Sequence, residues 1–559
     1  MMKQKNNEKQ STDLHWNRRF LVLCCALEIV YGVISMCFAV VLNLVATTAG
    51  AAEGIGELLS AGAIAILFGI LYPVSRGIAD SVTQAYGERA AQALRGRLNR
   101  AIFSMDCVGF SAYDTGDYLN SLTGDVLLLR DQYYTQMPLV FGYAAQFVFC
   151  VAYSFILNPV VGVVLMVMSV VQYFVPMLFG QKLNHLTIAQ SKKTASFTSK
   201  VKELLLGFSV VKSYGGEIHI QTEFDAANRS MTDARKKVAV MTQIMMHTNL
   251  LISLMLVLIS VLTAGWFVVA GTMAPATLLT VFYIANRYSM PVMDFARTYT
   301  QIKGSRGVQN KLCCFLAEHP EITPNASRCV KLGLDVRRLS FSYHQDAPAL
   351  CDFSFSFQMG KKYLILGESG CGKSTLLKVL AGQYPSHGVY VDGETLEHLD
   401  TGRLAGRLVL VGQQPYVFHR SVAENIDFLK TGDRQRLAEV VKGCCLSDFI
   451  ATLPQGVDTQ IDEEQRQLSG GQKARIGLAR AVYTKPDILL LDEVTSALDT
   501  ETARKIEMLI LGLKNIMVLH ISHKPSPDLI SQYDCVLTME NGRLIQADAS
   551  ERNNLQNEK

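Results

Sequence analysis

Apolar residues run almost unbroken from Phe20 to Ala46, and comparable runs return at about 57–79, 138–158, 159–180, 247–271 and 275–297. A helix needs roughly 20 apolar residues to cross a bilayer, so six membrane helices are predicted. They come in pairs. Short connections near 47–56, at Asn158-Pro159 and at Gly271-Thr272 join the members of a pair, while polar segments at about 80–137 and 181–246 separate the pairs. Those segments have amphipathic helical spacing, which predicts helices that extend well beyond the bilayer. The first run exceeds the 7–15 residues of a signal-peptide core (roughly) and is expected to remain as an uncleaved helix. Acidic Glu8 and Asp13 argue against a mitochondrial transit peptide.

Lysine and arginine orient these spans. Lys3, Lys5, Lys9, Arg18 and Arg19 precede the first span. Arg89, Arg95, Arg97 and Arg100 lie in the first long segment, and Lys182, Lys192, Lys193, Lys200, Lys202, Lys212, Arg235, Lys236 and Lys237 in the second. The short connections carry none, so both termini and both long segments are expected in the cytosol. Ionisable residues within a span are costly and become candidates for a substrate path. Glu28 lies in the first span, and Arg287 and Asp294 share one face of the sixth. The competing role for Arg287 and Asp294 is a place near the cytosolic end or lining a wet cavity, helping helices pack; for Glu28 the substrate path and a structural role stand level. Gly142, Gly162 and Ser169 read as helix-packing positions.

Composition adds limits. The chain is 49% hydrophobic and 18% charged with net charge +4; its mean hydropathy of +0.20 indicates substantial lipid contact. No basic stripe dominates, so no nucleic-acid partner is expected. The 13 cysteines include the vicinal pairs Cys24-Cys25, Cys313-Cys314 and Cys444-Cys445 and show no metal-ligand spacing; they read as reduced, mostly small apolar residues.

The last span continues to about Glu318, giving a membrane domain over 1–318. A linker over 319–330 holds Pro320 and Pro324, and alternating strand and helix patterns over 331–559 predict an α/β domain. Glycosylation patterns at Asn228 and Asn325 fall on the expected cytosolic side and are discounted. No peptidase-like stretch precedes the first run, so coupled leader-peptide cleavage is not expected.

The α/β half carries the chemistry. Tyr363-Leu364-Ile365-Leu366 reads as a strand, followed by Gly367-Glu368-Ser369-Gly370-Cys371-Gly372-Lys373-Ser374 and a helix opening at Thr375. This is a P-loop in strand–loop–helix context: glycines let backbone N–H groups turn toward phosphates at a helix N-terminus. Lys373 is expected on the β- and γ-phosphates, and Ser374 on Mg²⁺. Asp487 to Glu493 reads as a buried parallel strand ending in two carboxylates. Asp492 is expected to hold Mg²⁺ through water, and Glu493 to orient or deprotonate the attacking water. Ser469, Gly470, Gly471 and Gln472 open another helix and form a second anion cradle. One ATP needs only one P-loop cradle, so the second implies nucleotide shared across a dimer.

Together with the P-loop, Leu468-Ser469-Gly470-Gly471-Gln472 resembles the signature of ABC ATPases, and the resemblance extends over essentially the whole chain, most strongly over 334–545. It implies that Tyr343 stacks on adenine and that Gln413 is the glutamine linking Mg²⁺ and water to the membrane domain. It also identifies Asp499, in Ser496-Ala497-Leu498-Asp499, with the D-loop, and His523 with the histidine that touches the γ-phosphate. Gly412 and Gln414 stand where the family usually has proline and an acid. Gly116 to Asp125, and Glu203, Gly207, Val211-Lys212 and Glu217, resemble the two coupling segments of exporter-type members. Asp458 to Gln467 resembles the cross-talk loop, with Asp462 in place of the usual glycine and Glu463 as expected.

The implied fold is an all-α six-helix transmembrane domain followed by an α/β P-loop NTPase domain. The implied function is export of a small molecule, peptide or lipid by alternating access, with ATP and Mg²⁺ as cofactors. The expected partners are the lipid bilayer and a second half-transporter, in a homodimer or heterodimer, and the expected location is the bacterial plasma membrane. Two alternatives are an importer on the exporter-type fold, as in metal-chelate uptake, and an ATP-gated channel or regulatory subunit. A soluble ATPase of chromosome maintenance or DNA repair is excluded by the apolar spans and by the lack of a long coiled coil between P-loop and signature.

Overall fold

The computed structural model describes residues 17–50, 55–105, 107–319, 333–344, 347–384, 387–396, 404, 406–461 and 468–546. The arm holding Lys3, Lys5 and Lys9, the linker residues 320–330, and Asp462 and Glu463 of the cross-talk loop lie outside them. The chain divides into two compact units, Met1–Arg100 with Thr115–His319, and Ala101–Asp114 with Pro320–Lys559.

The first unit is helical. Its main elements are α1 (Arg18–Gly50), α2 (Ile55–Ser104), α3 (Gln136–Leu157), α4 (Pro159–Leu206), α5 (Phe208–Tyr214), α6 (Glu217–Val269), α7 (Thr277–Gly304) and α8 (Arg306–Glu318). The break between α3 and α4 follows from two residues. Asn158 is extended and its Oδ1 accepts from the backbone N–H groups of Val160 and Val161, while Pro159 occupies the first turn, where it sacrifices no helical hydrogen bond. At the far end of α5, Gly215 adopts a left-handed conformation (φ 65°) that closes the helix and turns the chain into α6.

The 50 residues of α2 and 53 of α6 rise about 75–80 Å at 1.5 Å per residue, more than twice the ~30 Å of a hydrocarbon core. These helices therefore run on into the polar segments, as the spacing predicted. Among the described residues, four helical stretches are long and apolar enough to span: Arg18–Gly50, Ile55–Ser104, Thr115–Leu157 and Glu217–Val269. Among the described residues of α4 the qualifying apolar stretch is Pro159–Gln172, and the sequence stays apolar to Gly180. α7 does not qualify, because Arg287, Asp294 and Arg297 interrupt it; it packs against α1, α3, α4 and α6. Six spans are thus not established by length and composition. Met36, Cys150, Val161, Leu165, Leu256, Ala264 and Ile284 interlock as the core of the bundle. The outward faces of α2 and α6 expose Ile66, Leu67, Leu254, Leu258 and Leu262, a surface suited to lipid.

Twelve strands lie among the described residues of the second unit. β2 (Ala347–Gln358), β1 (Gly333–His344), β4 (Val389–Val391) and β5 (Glu394–Thr395) form an antiparallel sheet in that order. A larger sheet is ordered β12-β11-β3-β10-β9-β6, from β12 (Arg543–Gln546), β11 (Cys535–Glu540), β3 (Lys362–Leu366), β10 (Met517–Ile521), β9 (Ile488–Asp492) and β6 (Leu408–Val411). β7 (Arg420–Ser421) and β8 (Gln460–Ile461) make a separate pair. Apart from β12, the larger sheet is parallel. Ile488 to Leu491 and Met517 to Leu519 are fully buried, because helices cover both faces of a parallel sheet and demand continuous apolar strands.

Candidate functional site

Strands β3, β10, β9 and β6 are consecutive neighbours, and all point the same way. At about 4.8 Å between strands, their C-terminal ends lie within about 15 Å of one another. Each end delivers one predicted motif: the P-loop after β3, His523 after β10, Asp492-Glu493 at β9 and Gln413 after β6. Ligands of open α/β sheets bind at this edge.

The P-loop is closed around its own lysine. Nζ of Lys373, a residue only 4% exposed, donates to the carbonyl of Gly367 (2.8 Å) and of Glu368 (2.6 Å). Gly367, Gly370 and Gly372 all have positive φ. At Gly372 (φ 99°) a Cβ would run into the carbonyl oxygen of Ala349, so glycine is required just before the helix α9 (Lys373–Leu380). The Ser374 hydroxyl donates to Oδ1 of Asp492 at 2.9 Å. Burial, and the neighbouring Glu493 carboxylate, raise the pKa of Asp492 above the usual aspartate range, and the Ser374 hydrogen bond offsets part of this.

Glu493 turns away from the strand in a left-handed conformation (φ 54°), uncommon for a residue with a side chain. Its N–H donates to the carbonyl of Ile521 in β10, and Ser496 donates to its carbonyl through both N–H and hydroxyl. The carboxylate is thereby aimed between two side chains. His523 Nε2 lies 2.7 Å from Oε1, and Gln413 Nε2 donates to Oε2 at 3.0 Å.

The Ser469–Gln472 segment begins α10 (Gly470–Thr484). Ser469 Oγ accepts from the Gln472 N–H and Gln472 Oε1 accepts from the Ser469 N–H, a reciprocal capping box that fixes this helix end while leaving Ser469 and Gly470 exposed. Among the described residues, no hydrogen bond or ion pair joins Ser469–Gln472 to Gly367–Thr375. A Cβ on Gly471 would meet the Ala497 carbonyl oxygen at 2.9 Å, so the glycine lets α10 lie directly against the Ala497-Leu498 turn. Asp499 caps α11 (Thr500–Gly512) by accepting from the Thr502 N–H; that bond holds its carboxyl below the usual range. Asp499 is thus committed locally.

Tyr343 is 48% exposed, and its hydroxyl is paired with Thr375 Oγ1 at 2.9 Å, at the edge of the P-loop helix. Tyr384 meets it edge-on at 5.4 Å between ring centroids. Linear spacing gave no sign of Tyr384, which arrives from the turn after α9. Ser496, which pins Glu493, was legible only as part of the D-loop.

The membrane unit has a second polar constellation. Glu28 is 1% exposed; its carboxylate accepts from the Thr83 hydroxyl (3.3 Å) and pairs with Arg76 at 3.7 Å. A Cβ on Gly142 would stand 3.1–3.2 Å from Glu28 atoms, so the glycine lets α3 close over the acid. Arg287 does not pair with Asp294, which is 3.8 Å from Arg297. Instead Arg287 lies against the rings of Tyr72 and Tyr283.

Comparison with known proteins agrees with this architecture. The family model "ABC transporter transmembrane region" matches residues 21–292, and "ABC transporter" matches 350–496. An "ATP-dependent lipid A-core flippase" of Pseudomonas fluorescens is 31% identical over 64% of this chain and 61% of its own length. An "ABC-type oligopeptide transporter" of Mus musculus is 25% identical over 88% of this chain and 66% of its own. The chain therefore spans a little under two thirds of the length of these relatives. In fold it is similar to a bacterial Atm1-family ABC exporter with ATP bound: TM-score 0.79, 22% identity, 96% of each chain covered. The chain belongs to the ABC transporters, with a transmembrane region fused ahead of an ABC ATPase domain.

Proposed function

We propose that this protein is an ATP-driven exporter of the plasma membrane that works by alternating access as a dimer. The observation that carries the proposal is the clasp on Glu493, a carboxylate held between His523 and Gln413 beside the Ser374–Asp492 pair. In this reading the P-loop N–H groups and Lys373 bind the phosphates, with Lys373 exchanging its own loop carbonyls for phosphate oxygens. Tyr343 stacks on adenine. Glu493 accepts the proton of the attacking water, Gln413 orients that water, and His523 bonds the γ-phosphate. Ser374 and Asp492 place a hydroxyl and a carboxylate side by side, a hard-oxygen set that fits Mg²⁺. Such an ion supplies charge neutralisation of the phosphates when bound.

The exposed Ser469 cradle supports the dimer. It would complete the P-loop site of a second copy, or of a related half-transporter, in head-to-tail closure. Leu205, Leu206, Phe208, Val210, Tyr214 and Ile218 form an exposed apolar tip around α5, as a segment that docks on a partner ATPase domain would. Asp499 would act at this interface through the turn it caps. The relatives' printed cargoes, lipid A-core and oligopeptide, differ, so likeness does not name the cargo. The positively charged segments support a cytosolic position for both termini.

Cross-linking tests the closure. With Glu493→Gln and Mg-ATP, a short bismaleimide should join Cys371 of one chain to Ser469→Cys of another, and the product should vanish with Cys371→Ala. A product that ignores ATP, or persists without Cys371, contradicts the shared site.

A further inference from the structure

Arg287 sits in the middle of α7, and among the described residues no carboxylate lies within ion-pairing distance of it. Its Nη1 is 3.5 Å from the Tyr72 hydroxyl of α2, and its guanidinium carbon is 5.5 Å from the Tyr72 ring centre and 5.7 Å from that of Tyr283. The Tyr72 hydroxyl in turn lies 3.4 Å from that of Tyr31 in α1. A guanidinium has five donors and no acceptor; two tyrosines leave most of them free. The nearby Arg76 is different. It stacks on Tyr31 at 4.8 Å and is neutralised by Asp80 at 2.7 Å and Glu28 at 3.7 Å. The acids of this region are thus consumed on one side, and the cation on the other is left with aromatic company only.

Within a membrane bundle, an arginine without a carboxylate partner characteristically faces the bundle interior or a water-filled cavity rather than lipid. Arg287, Tyr72 and Tyr283 are all partly exposed, whereas Glu28 is sealed under Gly142. A cationic cargo would find Asp80 and Asp294 already paired with Arg76 and Arg297. An anion on an aromatic frame would find a fork of N–H donors and flat rings beside it.

We propose that Arg287, Tyr72 and Tyr283 form a binding site for the transported molecule that selects a carboxylate or phosphate carried on an aromatic or apolar body. This rests on the transporter reading above, but binding can be measured without turnover. The full chain in phosphatidylcholine nanodiscs would be titrated calorimetrically with 1-naphthyl phosphate, neutral 1-naphthol and 1-naphthylmethylammonium. The phosphate should bind at least about tenfold tighter than the other two, as expected for charge-assisted hydrogen bonds. Arg287→Gln should remove that preference, while Arg287→Lys, which keeps charge but loses the fork, should retain part of it. The thermal unfolding midpoint of each variant establishes that it is folded. Adding phosphatidylglycerol to the nanodiscs distinguishes two sources of the anion: Arg287-dependent competition identifies a lipid headgroup, and unchanged phosphate binding a soluble anion. Equal affinity for the three probes, or full phosphate affinity in folded Arg287→Gln, overturns the proposal. Absence of ATP hydrolysis alongside selective binding would instead overturn the transporter reading alone.

Discussion

The Nε2 of His523 lies 2.7 Å from Oε1 of Glu493, although the two residues leave different strands of the sheet. The register explains it: Ile521 is level with Asp492, so the residue after β9 and the second after β10 emerge together. With Gln413 on the other carboxylate oxygen, Glu493 is aimed from both sides. His523→Ala should lower kcat for ATP by at least about tenfold, as loss of a group that positions the base, with little change in ATP affinity. Gln413→Ala should show the same direction. A loss of ATP affinity as large as the loss of kcat would mean that these contacts serve binding rather than the aiming of Glu493.

The raised pKa of Asp492 has a direction that can be tested. Because burial disfavours its charged form, this carboxylate takes up a proton at a pH above the ordinary aspartate range. Protonation relieves that cost, so this group adds no acid lability to the fold; what falls with pH is divalent-ion affinity. Mn²⁺ binding in the presence of ATP, followed by electron paramagnetic resonance, should weaken as pH drops through that window. Asp492→Asn should bind weakly at every pH. Wild-type affinity that holds down into the ordinary aspartate range is the contrary outcome.

His520 gives the opposite sign. It is completely buried in β10; Nδ1 is 2.8 Å from the Tyr533 hydroxyl, and Nε2 has no partner among the described residues. Burial lowers its pKa from 6.5 to about 4. Below 6.5 the unfolded chain binds a proton that the folded domain refuses, so stability should fall as pH drops toward about 4, by up to about 1.4 kcal/mol per pH unit. Hydrogen exchange of the β10 amides in the full chain reads this slope. His520→Gln should flatten it, and an unchanged slope would remove His520 as its source.

Much of this architecture is legible in the chain because the two halves use different periodicities. Uninterrupted apolar runs give the bundle, and short apolar strands that end at or just before Gly367, Asp492 and His523 give the sheet edge. Motif order also places Glu493, Gln413 and His523 in one site. What sequence does not carry is cross-strand register and tertiary contact. The clasp on Glu493 depends on its left-handed backbone and on Ser496, and Tyr384 reaches Tyr343 only through the fold. In the membrane half, seven positions of separation put Arg287 and Asp294 on one helical face, yet Asp294 is matched by Arg297 and Arg287 by tyrosines. α7 shows why the count of spans is less certain from composition than from packing: its charges interrupt the apolar run while its neighbours hold it in the bundle.

Mg-ATP hydrolysis by the full chain in proteoliposomes, compared with Glu493→Gln, tests the central claim most directly. Steady turnover in the wild type, with a loss of at least about a hundredfold in a variant that still binds ATP, is the predicted result for removal of a general base. Turnover of the variant within about twofold of wild type would contradict it.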